Sequence, residues 1–215
     1  MRIDRTTLGV VLAVLSVATL SLAQGQKVEN VGPPQLPGLS DALKAAVAEQ
    51  GVRVTLADGW SADLWLARQM ESSPKEVPGA LYPEFGNAEF IGLLNLRKRM
   101  NDLRGQAIAA GVYTLRYQLL PQDANHMGIS PNPDFVLAIP AAADPNPAQH
   151  YLYRKFVTLS AKSTGTGHPA AIALEQAAET GGLSQNAQGW TVLTVNVPGA
   201  APKKIGIVLR GSVAQ

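Results

Sequence analysis

Along Val112–Leu120 the residue character changes at every step. Tyr113, Leu115, Tyr117 and Leu119 fall on one side of an extended chain, and Thr114, Arg116 and Gln118 on the other. Side chains of a β-strand point alternately to the two faces of its sheet. This period of 2 therefore commits the segment to a strand with one face on a core and one toward solvent. The pattern recurs. Val52, Val54 and Leu56 alternate up to the turn pair Asp58-Gly59, and Ala62, Leu64 and Leu66 alternate after it, which predicts a hairpin. Further strands are predicted over Phe90–Leu96, Phe135–Ile139 (stopped by Pro140), Ala170–Leu174, Trp190–Val197 and Lys204–Leu209.

Only two segments carry helical spacing. Leu43, Ala46 and Val47 form a stripe behind a Ser40 cap, with Gly51 as the stop. Ala148–Lys162 places Leu152, Phe156 and Leu159 on one side. Seven or eight strands without helices regularly between them argue against a parallel βαβ plan. The expected fold class is mainly β: an antiparallel β-sandwich, jelly-roll or immunoglobulin-like, with two short helices. Lys203 and Lys204 would shield the last strand as a sheet edge.

Residues 1–23 read as a signal peptide. Arg2 and Arg5 precede an apolar run, Leu8–Leu22, that ends in the small-residue site Ser21-Leu22-Ala23. That run is 15 residues, short of the roughly 20 that a spanning helix needs. Residues 24–38 hold Pro33, Pro34, Pro37, Gly25 and Gly32 without an apolar period and are expected to be a tether. Residues 39–215 then form a single domain. Cleavage leaves 192 residues, long enough to bury a core without staples. Cysteine is absent, which excludes disulfides, thiol nucleophiles and thiolate metal sites. With no Asn-x-Ser/Thr sequon either, the expected location is the periplasm or the external medium of a bacterium, with no transmembrane segment after the leader.

Of 18 basic and 16 acidic residues the leader holds Arg2, Arg5 and Asp4, so 16 and 15 remain. This near-neutral balance carries no footprint for nucleic acid or an anionic bilayer. The basic run Arg97, Lys98, Arg99 and Arg104, with Asp102 among them, reads as a solvated loop.

No Gly-x-Ser-x-Gly, His-Glu-x-x-His or Gly-x-x-x-x-Gly-Lys motif is present. Polar groups concentrate in Pro121–Asp134 and in Ser160–Pro169, two connections of the kind that carry binding sites. One reading joins them as a divalent-metal or polar-ligand site. His126 and His168 would supply imidazoles and Asp123 or Asp134 a carboxylate, a known facial set for iron or zinc. The plainer reading has Asp123, Asn125 and Asp134 holding turns through side-chain to backbone hydrogen bonds. No cofactor other than such a metal is indicated.

A second reading is a binding module for a glycan or an envelope partner. Trp60, Trp65, Trp190, Tyr82, Tyr151 and Tyr153 are its candidate aromatics. Trp65 and Trp190 lie in predicted strands and are expected in the core. Trp60, beside the Asp58-Gly59 turn, is the one expected at the surface.

The blocks Gly111-Val112-Tyr113-Thr114-Leu115-Arg116-Tyr117, Asn125-His126-Met127-Gly128-Ile129-Ser130-Pro131 with Asp134-Phe135, and Leu159-Ser160 through Gly165-Thr166-Gly167-His168-Pro169-Ala170 resemble a group of uncharacterised exported bacterial β-rich proteins. The resemblance implies a secreted β-rich domain and transfers no catalytic residue. The expected function is a non-catalytic binding or structural module of the envelope. The alternative is a metal-dependent enzyme or metal-binding protein using His126 and His168.

Overall fold

The computed structural model describes residues 25–70, 77–120, 130–199 and 204–213. Twelve strands are present among them: β1 (Lys27–Val31), β2 (Gly51–Thr55), β3 (Ser61–Leu66), β4 (Phe90–Leu96), β5 (Met100–Asn101), β6 (Ala107–Ile108), β7 (Gly111–Leu119), β8 (Asp134–Pro140), β9 (Ala170–Glu175), β10 (Gly182–Gln185), β11 (Thr191–Asn196) and β12 (Lys204–Arg210). Two α-helices, α1 (Asp41–Ala46) and α2 (Tyr153–Ser160), lie outside the sheet. Neither is long and apolar enough to cross a membrane.

Ten strands form one antiparallel sheet in the order β1-β2-β3-β4-β7-β8-β9-β12-β11-β10, and β5 and β6 form a separate short ribbon. The sheet curls until β1 and β10 approach each other, which makes a nearly closed, barrel-like form. A mainly β, antiparallel architecture with two short helices is what the alternating pattern predicts.

The inner face follows from that alternation. Ala62, Leu64 and Leu66 of β3, Tyr113, Leu115 and Tyr117 of β7, Val136 and Ala138 of β8, and Ile205, Ile207 and Leu209 of β12 belong to one buried cluster. Gly92 sits where β4 bulges against β7. A Cβ there would overlap the Trp65 carbonyl, so only glycine admits this close approach of β3 and β4.

The outer face departs from the prediction. Thr114, Arg116 and Gln118 of β7 alternate with the core residues as expected, yet all three are fully buried. The connection from β8 to α2 covers Thr114 and Arg116, and Phe156 and Leu159 of α2 pack on Phe135, Leu137 and Ile139 of β8. A second outer cluster joins Leu39 and Leu43 to Trp65, Phe90 and Leu93 beneath α1. Helix α1 begins as predicted, with the Ser40 hydroxyl accepting the Leu43 N–H at 3.2 Å.

Three boundaries also differ. Within the supposed tether, Lys27–Val31 is a strand paired along its length with β2. The second helix starts at Tyr153 rather than Ala148; the chain before it instead turns at 146–149, where the Gln149 N–H donates to the Asn146 carbonyl at 3.1 Å. Strand β12 is no edge, since β9 and β11 flank it; the sheet ends at β1 and β10.

Candidate functional site

Trp60 is buried, with 4 % of its surface exposed. Its indole N–H donates to the Arg99 carbonyl at 3.1 Å, and its backbone N–H donates to Asp58 Oδ1 at 3.0 Å. The turn at Asp58-Gly59 folds the ring inward under the β5–β6 ribbon, so it offers no platform to a sugar. Trp65 and Trp190 are core residues, as predicted.

Asp134 opens β8 and is fully buried. Its carboxylate accepts the Leu81 N–H at 3.0 Å, the Tyr82 N–H at 2.8 Å and the Tyr117 hydroxyl at 3.2 Å. Burial, and then the Asp134 charge, push the Tyr117 phenol well above its ordinary value, which keeps it a donor. Burial likewise pushes Tyr82 up to about 12. Its hydroxyl donates to the Glu175 carbonyl and accepts the Gly206 N–H, both at 2.7 Å. These bonds tie the start of β8 to residues 81–82 and, through Tyr82, to β9 and β12; Asp134 accepts backbone N–H groups, but from residues about 50 positions earlier rather than within its own turn.

His168 is exposed, and its main chain is held by Thr164 and Thr166. In the β8–β9 register Phe135 faces Ala173 and Ala138 faces Ala170. Continued by two residues, that register puts His168 level with Pro140, while Asp134 lies at the opposite end of the same strand. Six residues of strand separate the two positions, roughly 20 Å. Among the described residues, no three His, Asp or Glu side chains are grouped to hold a metal. Asp123, Asn125 and His126 lie outside the described residues.

A sizeable concavity among the described residues lies elsewhere. A groove of about 740 Å³ runs between α1 and the segment 147–150, within the size range of small-molecule sites. Phe90, Met70 and Ala46 supply an apolar floor and wall, and Arg68, Glu89 and His150 bring polar groups to it. Arg68 is aimed by two bonds, Nε–H to the Val47 carbonyl at 2.7 Å and a longer one to Glu49 Oε1 at 3.3 Å.

The floor is fixed from below by Arg116. Its guanidinium donates to Asp144 Oδ2 at 2.8 Å and to Oδ1 at 2.9 Å, a bidentate pair. The other three N–H groups go to the carbonyls of Ala88, Asn146 and Pro147. All five donors are used, which is how a fully buried cation is tolerated. The Phe90 and Phe156 rings lie 5.3 and 5.5 Å from the guanidinium carbon. Arg116 thereby ties the floor residue Phe90 to Pro147 on the opposite wall.

Sequence reasoning gave His150 no role and did not single out Arg68, Glu89 or Phe90. The groove is assembled from four short stretches and Gly199, which share no spacing. Only the prolines flanking Asn146 mark one of them as irregular chain. Comparison with family models, curated proteins and solved structures finds no match for this chain.

Proposed function

We propose that the protein is an exported binding module of the bacterial envelope, periplasmic or extracellular, whose ligand seats in the groove between α1 and the segment 147–150. The observation that carries this reading is the pairing of an apolar floor with a rigid support. Phe90 rests on a buried guanidinium whose every donor is satisfied, so the groove keeps its form without a ligand. The ligand class that suits Phe90 and Met70 beneath Arg68, Glu89 and His150 is a small organic molecule with an apolar body and a polar or anionic end. We read the curled sheet as sandwich-type, with β1–β4 and β7 facing β9–β12 across the shared core.

The reading is tested by NMR titration of the labelled protein with a library of small carboxylates and amides. Binding compounds should shift the amides of Arg68, Phe90 and His150 together. Ala46→Trp, which fills the groove from the α1 side, should abolish those shifts while leaving the rest of the spectrum intact. Absence of any binder, or shifts that survive Ala46→Trp, would overturn it.

A further inference from the structure

We propose that the start of α2 docks the protein on an anionic lipid surface. Leu152 is 86 % exposed, and Val28, at 37 %, is the only other exposed large hydrophobic residue among those described. Leu152 occupies the N-cap of α2, a position where Ser, Thr, Asp or Asn would satisfy a free backbone N–H. No side-chain cap bond is made there. This leucine therefore neither packs nor caps, and the fold supplies no reason for it.

Its surroundings supply one. Tyr151 and Tyr153 flank it, both half-buried. Tyrosine is the residue type enriched at the water–headgroup boundary. Arg154, Lys155 and Lys162 follow, all exposed. From Pro145 to Leu174 the chain contains no Asp or Glu at all. Asp144, just before this stretch, is buried and already paired with Arg116. The near-zero net charge of the whole chain thus averages over a stretch, 145–174, whose formal charges are all positive.

A lipid surface fits this tip better than a protein does. A stable protein partner needs a shaped patch of about 800 Å² per side, and a single protruding leucine followed by cations along α2 does not offer one. A fluid headgroup layer needs no shape. It accepts one apolar side chain and about three charges, each worth about fivefold in partitioning.

The test is co-sedimentation of the protein, as isolated from its own cells, with vesicles of phosphatidylcholine alone or mixed with phosphatidylglycerol. Binding should require phosphatidylglycerol and vanish in about 0.5 M salt, where the Debye length falls to a few ångströms. Leu152→Ser should lower the partition coefficient about tenfold. Arg154→Glu and Lys155→Glu should each lower it more than tenfold. Lys27→Glu, an equal charge change on β1, should leave it unaltered. Unchanged thermal unfolding of the Leu152 variant would show that its loss is not one of folding. Equal binding to neutral vesicles, no binding at all, or a Leu152→Ser protein that partitions like the parent would each overturn the proposal. So would a Lys27→Glu loss as large as that of the α2 variants, which would reduce the effect to bulk charge.

Discussion

Asp63, on the outer face of β3, and Asp144, in the connection that covers the outer face of β7, are both buried and both bound to arginine. Their partners differ. Arg53 and Arg97 reach Asp63 from solvent, with side chains 36 % and 46 % exposed, while Arg116 is wholly enclosed with Asp144. At Asp63 water can replace a lost partner. At Asp144 it cannot, and each ion depends on the other for its charge balance. Burial of the carboxylate alone says little about the energy of a pair; the exposure of the cation decides it.

The sharpest way to break this contrast is at Asp144. Asp144→Ala leaves Arg116 charged and buried, and should cost about 3–5 kcal/mol in urea unfolding. The double variant Arg116→Met, Asp144→Leu should recover most of that loss, because it removes the stranded charge as well. A double variant as unstable as the single one would mean that the pair is held for its bonds to Ala88, Asn146 and Pro147 rather than its charge balance.

Asp63→Ala should cost less, about 1–3 kcal/mol, the range for charged hydrogen bonds lost without an enclosed orphan. Arg53→Ala and Arg97→Ala should each cost no more than about 1 kcal/mol, since both are half in water. A single arginine loss equal to that of Asp63→Ala would show that the site works as one unit.

A smaller effect at Asp63 depends on pH. Burial works to raise the Asp63 pKa, but hydrogen bonds from Arg53, Arg97 and Asn95, with the Arg97 charge, outweigh it and hold the carboxyl below its ordinary value. A depressed folded pKa contributes stability that is whole above the unfolded value of about 3.9. That contribution is lost as pH falls through the folded value. Unfolding free energies measured from pH 5 downward should fall more steeply for the parent than for Asp63→Asn. Parallel curves would remove Asp63 from the acid response. The least effect is expected at His168, where His168→Ala should shift stability by less than about 0.5 kcal/mol.

Much of the scaffold was legible because it rests on local chemistry. Strand β4 coincides with its predicted range, β7 and β8 differ from theirs by about a residue, and the Ser40 cap announces α1. Strand β1 was hidden because Lys-Val-Glu-Asn-Val pairs on one side only and buries none of its residues fully. The role of Arg116 was hidden for a different reason. Alternation reports which face a residue takes, not what later covers that face, and its cover arrives 28 residues downstream at Asp144. The groove is less legible still, since its walls come from α1, the end of β3, the start of β4 and the chain before α2. Of the loop residues first singled out, Asp134 proved to be an internal brace and Trp60 a core residue.

The unbonded approach of β1 and β10 has a mechanical consequence. A closed barrel is a hoop that resists opening because every strand is bonded on both sides. This one is a split ring. Bending it open strains no hydrogen bond across the gap, and the inner residues Leu64 and Leu66 already line a cleft of about 570 Å³ there. The ring should breathe at the seam, with amides on the free edges of β1 and β10 exchanging before any on β7 or β8, while the braced wall around Arg116 stays still.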